Sequence, residues 1–148
     1  MWLEQLARDA PLKEPYPFPF IGRELDFRPL LQAVVLDRVR GRDIREIARS
    51  FQLGIAQGLH NALNVISRSH GLDTVVLSGG VFQNELLMED LKSMLTEGEG
   101  EGSLQVWTNN AVPPNDGGIS LGQAALAAFG QFDTIQRPGE HPSESSYA

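Results

Sequence analysis

The sequence predicts an α/β domain in which parallel strands alternate with helices. In the second half of the chain, short apolar runs, glycine-rich turns and helix-like segments follow one another in regular order. The run Thr74–Leu77 is short, continuous and valine-rich, which is typical of a strand buried on both faces of a parallel sheet. A second strand is predicted over residues 104–107, with an amphipathic helix over residues 86–95 between the two strands.

One long helix is the clearest periodic feature of the chain. From Ile44 to Ile66, apolar residues recur every three or four positions. Asp43 and Glu46 have the spacing of a capping box at its start, and Gly71 suits its C-terminal cap. At about 1.5 Å per residue, this helix would be about 40 Å long and would cross the whole domain.

Shorter elements precede this helix. Helical spacing predicts helices over residues 2–10 and 30–39, and Pro29 suits the first turn of the second one. Between them, residues 16–27 are rich in aromatic side chains and broken by proline and glycine, so we expect one or two short strands or a hairpin there.

The chain ends in two contrasting segments. The helix predicted over Ile119–Phe129 is apolar on nearly every side and rich in alanine, so we expect it to be buried and tightly packed. From Asp133 onwards the composition is mainly Pro, Ser, Glu and Gly, which is typical of disorder. We therefore predict one ordered unit over residues 1–132 and a disordered tail over 133–148, and we expect residues 97–102 to form an exposed turn.

Composition excludes several classes of function. The chain has no cysteine, which rules out disulfides, a zinc finger and a thiol nucleophile within it. Its histidines, His60, His70 and His141, do not form an H-x-x-x-H metal pair. The net charge of −7 argues against a nucleic-acid surface. No apolar run could span a bilayer and no leader is visible, so we expect a cytoplasmic protein without membrane contact.

The first loop that could carry chemistry follows the predicted strand directly and reads SGGVFQN at residues 78–84. Gly79 and Gly80 would let the backbone approach a ligand closely, and the free N–H groups at the next helix start suit a phosphate. Open α/β sheets also bind ligands at the carboxyl ends of their strands. Spacing alone leaves a second interpretation open, in which the glycines only make a tight turn and Asn84 is a helix N-cap. Ser78 has no credible general base.

The second loop reads PPNDGG at residues 113–118 and leads into the last helix. Asp116 could be the N-cap of that helix. Its carboxylate could equally be one ligand of Mg²⁺ or of a mixed nitrogen and oxygen metal site. One carboxylate cannot hold a metal unaided, so the other ligands would have to come from elsewhere.

The amino-acid sequence of these two loops resembles the C-terminal end of the hydrogenase maturation factor HypF family. The resemblance is specific, because two long motifs occur at the expected separation, and it extends in order from residue 1 to about residue 129. It is carried by LSGGVFQN at 77–84 and VPPNDGGISLGQA at 112–124, with WLE at 2–4, YPF at 16–18, LDFRPL at 25–30 and IARSF at 47–51.

The resemblance implies a fold and an activity. The fold would be the C-terminal lobe of a Kae1/TsaD-like domain, which is half of an actin/hexokinase/Hsp70-like ATPase fold with a mixed sheet flanked by helices. The full-length protein would be a carbamoyltransferase that makes carbamoyl adenylate from carbamoyl phosphate and ATP and passes the carbamoyl group to the C-terminal cysteine of HypE. Ser78, Gly79, Gly80 and Asn84 would bind the nucleotide. Asp116 would help to hold a divalent metal, Zn, Fe or Mg, and no residue of the chain would itself be catalytic.

Departures from the family pattern define what the chain would need. It lacks the H-x-x-x-H pair of the family's metal site and the acylphosphatase-like, zinc-finger and YrdC-like domains, and Gln52 stands where the family usually has histidine. We therefore expect a piece of a longer protein, or a short paralogue, that is inactive without the N-terminal lobe, the upstream domains and a HypE-type acceptor. A homo-oligomer is also compatible with the sequence.

Two alternatives stay open. The chain could be a non-catalytic docking module. It could also be a tRNA threonylcarbamoyl-transferase-like protein, although the sequence NDGGIS and the acidic net charge favour the HypF family over this alternative.

Overall fold

A computed structural model of the chain describes residues 2–11, 13–96, 104–110, 112–113 and 115–129. The α/β class is confirmed, and each predicted helix and strand is present. The predicted turn at 97–102 and the predicted tail at 133–148 lie outside the described residues. In chain order the elements are α1 (Trp2–Arg8), β1 (Phe20–Ile21), β2 (Glu24–Leu25), α2 (Arg28–Val39), α3 (Ile44–His70), β3 (Thr74–Leu77), α4 (Glu85–Thr96), β4 (Gln105–Thr108) and α5 (Ile119–Phe129).

The long helix α3 has the ends that its sequence predicts. Asp43 is the N-cap, and its Oδ1 accepts a hydrogen bond of 2.8 Å from the backbone N–H of Arg45. Gly71 ends the helix in the left-handed conformation, with φ of 64°. The reciprocal capping box does not form, because Asp43 bonds to the N–H of Arg45 and not to that of Glu46, and the Glu46 carboxylate pairs with Lys13 at 2.9 Å and with Arg42 at 3.1 Å. No helix in the described part of the chain is long and apolar enough to cross a membrane.

Helices α3 and α4 pack together against one face of the β3–β4 pair. Their buried side chains form one core, which includes Ala56, Leu77, Leu87, Leu91, Leu95 and Leu104. A nearly buried ion pair also joins the two helices, since Arg49 donates two hydrogen bonds to the carboxylate of Asp90. Removing one partner of such a pair would leave a buried charge, so the pair fixes the position of α4 on α3.

In the described part of the chain, the strands form two small sheets instead of the single mixed sheet that the resemblance implies. β1 and β2 are antiparallel, whereas β3 and β4 are parallel, with Leu77 opposite Thr108. The prediction that Thr74–Leu77 is buried on both faces is wrong for one face. Val76 is 63% exposed and its cross-strand neighbour Trp107 is 62% exposed. The reason is that α3 and α4 cover only the opposite face.

The prediction that the last helix is buried is also wrong for this chain. Every residue of α5 is exposed, and its main contacts are with the turn Asp116–Gly118 that precedes it. The helix has no charged side chain, and Leu126 and Phe129 are 65% and 88% exposed. Its composition is apolar as predicted, but in the described part of the chain no other helix or strand packs closely on it.

A polar network fixes the start of α3 against α2. Arg42 donates to Asp37 at 2.6 Å and to the hydroxyl of the buried Ser50 at 3.2 Å, and the Tyr16 hydroxyl also donates to Asp37 at 2.6 Å. Burial and the hydrogen bond to Asp37 raise the pKa of Tyr16 to about 12. The hydrogen bonds from Tyr16 and Arg42 lower the pKa of Asp37, so the network is intact at neutral pH.

Candidate functional site

The residues Ser78, Gly79 and Gly80, here called the glycine turn, directly follow the last residue of β3. Gly79 has φ of 103° and ψ of 162°, a conformation that is essentially restricted to glycine. A Cβ atom added at Gly80 would meet no heavy atom within 4 Å. The turn therefore needs one glycine for its backbone conformation, while the second leaves open space directly beside the backbone.

A short 3-10 turn, Gly80–Gln83, connects the glycine turn to α4. The Phe82 N–H donates to the Gly79 carbonyl at 3.1 Å, and the Phe82 ring packs on the core. Asn84, which is 5% exposed, accepts a 3.1 Å hydrogen bond from the Leu87 N–H through Oδ1. Asn84 is therefore a helix cap, and its contact with a nucleotide stays a prediction.

The segment that leads to the second loop leaves the sheet at the same edge as the glycine turn. The two loops follow Leu77 and Thr108, which are paired on neighbouring parallel strands, so both leave the carboxyl end of the β3–β4 pair. This edge is where ligands bind in open α/β sheets. The topology therefore starts the segments that contain the two sequence motifs at one end of the β3–β4 pair.

Asn115, and not Asp116, is the cap of the turn before α5. The Asn115 Oδ1 accepts a 2.9 Å hydrogen bond from the Gly117 N–H. Asp116 is exposed, and within the described ranges no hydrogen bond or ion pair involves its carboxylate. The capping interpretation of Asp116 is thus wrong, and its carboxylate is available to a ligand.

Metal-ligating side chains are not concentrated anywhere in the described part of the chain. No group of three or more His, Asp or Glu side chains there could hold a metal ion. His60 is hydrogen-bonded to Asn64 at 2.9 Å, and His70 contacts Ser69 at 2.8 Å, so both histidines interact within α3. Asp116 could contribute a single oxygen ligand, which is not sufficient to hold a metal ion.

Gln52 departs from the family pattern in sequence, and the structure gives it an unusual environment. Gln52 is 2% exposed, and its side-chain amide has no hydrogen-bond partner among the described residues. Its spacing of four residues from both Ala48 and Ala56, which places it on a buried face of α3, was the available signal.

Comparison with known proteins identifies the family. The model of the carbamoyltransferase Kae1-like domain, second subdomain, matches residues 1–123. Carbamoyltransferase HypF from Rhodobacter capsulatus is 32% identical over 129 residues, which cover 86% of this chain and 16% of the relative. HypF2 from Cupriavidus necator is 34% identical over 106 residues, covering 72% of this chain and 12% of the relative.

Solved structures give the same result. Full-length HypF in its phosphate- and nucleotide-bound form superposes with a TM-score of 0.72 at 33% identity, over 84% of this chain and 19% of that protein. HypF from T. kodakarensis superposes with a TM-score of 0.71 at 26% identity, over 84% of this chain and 16% of that protein. The chain thus spans less than a fifth of the length of these relatives. It belongs to the HypF carbamoyltransferase family, in which it matches the second subdomain of the Kae1-like domain.

Proposed function

We propose that this chain forms the nucleotide-phosphate side of the carbamoyl-transfer site of a HypF-type enzyme of NiFe-hydrogenase maturation. The observation that carries the proposal is the glycine turn at the carboxyl end of a parallel strand, with open space beside Gly80. The HypF structure described in its phosphate- and nucleotide-bound form, which this chain resembles, supports the same ligand class.

The glycine turn would bind phosphate through its backbone. The N–H groups of Gly80 and Val81 open the 3-10 turn and have no acceptor within it. Without a Cβ at Gly80, phosphate oxygens of ATP or carbamoyl adenylate could reach these N–H groups. Asn84 would act mainly by holding α4 in place behind the turn.

Asp116 would supply one ligand of a divalent metal at the same edge of the sheet. The residue fits this role, because its carboxylate is a hard oxygen donor that is exposed and has no competing hydrogen bond or ion pair with the described residues. A bound cation would supply positive charge close to the phosphate oxygens. The remaining ligands, such as a histidine pair, would come from the N-terminal lobe.

The N-terminal lobe would also cover the apolar surfaces that this chain exposes. Helix α5 is uncharged and exposed along its whole length, and Val76 and Trp107 leave one face of the β3–β4 pair open. The matched family model is a second subdomain, so the relatives contain a first one. We infer that the first subdomain packs on these surfaces. The two subdomains together would then form an actin/hexokinase/Hsp70-like fold with a two-lobed site. The carbamoyl acceptor would be the C-terminal cysteine of a HypE-type protein.

Substituting Gly80 by alanine tests the phosphate site. The added methyl group meets nothing in the free chain, so the fold should tolerate it, but it would occupy the space that phosphate oxygens need. We expect the Kd of the chain for AMP, measured by equilibrium titration with Mg²⁺ present, to rise about tenfold or more, a loss of roughly 1.4 kcal/mol.

The matched control is Gly122→Ala, which adds the same methyl group to open space in α5. It should leave the Kd for AMP unchanged. Equal affinities of the wild type and of Gly80→Ala would exclude the glycine turn as the phosphate site.

A further inference from the structure

Gln52 is a polar side chain in a buried position. Only 2% of its surface is exposed, and no residue in the described part of the chain is a hydrogen-bond partner of its Nε2 or its Oε1. A buried amide without partners costs folding free energy that a methionine or leucine there would not cost. Native proteins contain few such groups, and each one needs a physical reason.

Gln52 lies on a buried face of α3, between Ala48 and Ala56. Positions 48, 52 and 56 are each about one helical turn apart and share this face. Ala48 belongs to a buried cluster with Leu86, in the first turn of α4, and Ala56 packs with Leu77 at the end of β3. The segment that joins these two leucines contains the glycine turn. Along α3, Gln52 therefore lies between the two residues that share buried clusters with the ends of this segment.

We propose that Gln52 is a positioning residue for the phosphate-bound form of the glycine turn. A glutamine amide can donate to a carbonyl and accept from an N–H at the same time, so it can hold two groups of a neighbouring backbone segment. When phosphate binds, the backbone of residues 78–83 would shift onto the Gln52 amide, and this contact would keep the N–H groups of Gly80 and Val81 directed at the ligand. This inference rests on the proposed phosphate site.

The energetic consequence is that stability and ligand affinity are opposed at this position. In the free chain the amide has lost its hydration and gained no hydrogen-bond partner among the described residues, so it lowers stability. In the bound chain the same amide would be paired, so binding would recover that loss. A glutamine with a purely structural role would affect stability and affinity in the same direction.

Replacing Gln52 with methionine tests this, because methionine has a similar shape and no amide. We expect the thermal midpoint of the free full chain to rise by about 2–4 °C. We expect the Kd for AMP, titrated with Mg²⁺ present, to rise about tenfold in the same variant.

Leu53→Met is the matched control, since Leu53 is the next residue of α3 and is also buried. It should leave the Kd for AMP unchanged. An unchanged Kd in Gln52→Met, or a midpoint that falls together with affinity, would overturn the positioning role while leaving the phosphate site in place. If the wild-type chain does not bind AMP at all, the proposed function itself fails, and this inference fails with it.

Discussion

Replacing Asp116 with alanine is expected to reduce carbamoyl transfer by about 100-fold or more, because it would remove the proposed direct metal ligand. The fold should not be affected, since the Asp116 carboxylate is exposed and has no hydrogen bond or ion pair with the described residues that could be lost. The measurement uses the Rhodobacter capsulatus relative with this chain in place of its matching segment, supplied with carbamoyl phosphate, ATP and a HypE-type acceptor. Bound metal, counted by elemental analysis, should fall together with the transfer rate.

Asn115→Ala is the control for this experiment. It removes the hydrogen bond that caps the turn at Gly117, at a cost of about 1 kcal/mol, but it keeps the carboxylate of Asp116. Transfer and metal content should therefore stay within a few-fold of the unsubstituted chimera. A metal role for Asp116 would be ruled out if Asp116→Ala kept its metal and its rate. It would also be ruled out if Asn115→Ala lost as much of both.

Replacing Gly54 with alanine should destabilise the chain by about 1–3 kcal/mol, although the same change normally stabilises a helix. A Cβ at Gly54 would lie 2.5 Å from the backbone oxygen of Tyr16 and 3.0 Å from Leu30. The Tyr16 backbone cannot easily move away, because its N–H donates to the Ser50 carbonyl at 3.0 Å. The free energy of unfolding, measured by urea denaturation, checks the prediction.

A helical glycine with free space provides the comparison. Gly122→Ala in α5 adds a methyl group that meets no heavy atom within 4 Å, so it should not lower the stability of the chain. If Gly54→Ala is as stable as the wild type, the segment before β1 does not pack this closely on α3.

Local signals in the sequence were sufficient to predict α3 and the strand that follows it. Asp43, the apolar repeat and Gly71 each act within a few residues, so they give the limits of the helix without knowledge of its neighbours. The glycine turn was predicted for the same reason, because its position after a valine-rich strand is a local property.

Features that depend on tertiary packing could not be predicted from the sequence. The apolar composition of α5 indicates that the helix is suited to burial. It does not indicate whether residues of this chain or another part of the protein cover the helix. Asn115 and Asp116 are adjacent residues that can both cap a helix, and the choice between them depends on backbone angles that the sequence does not reveal. The unpaired amide of Gln52 becomes evident only when its surroundings are known.

The most direct test of the phosphate site is a comparison of AMP with adenosine by NMR on the isotope-labelled chain. AMP should shift the amide signals of Gly79, Gly80 and Val81, because the phosphate group is expected to contact these N–H groups. Adenosine, which lacks the phosphate, should shift them far less at the same concentration. AMP shifts confined to other parts of the chain, or equal shifts with both ligands, would contradict a phosphate site at the glycine turn.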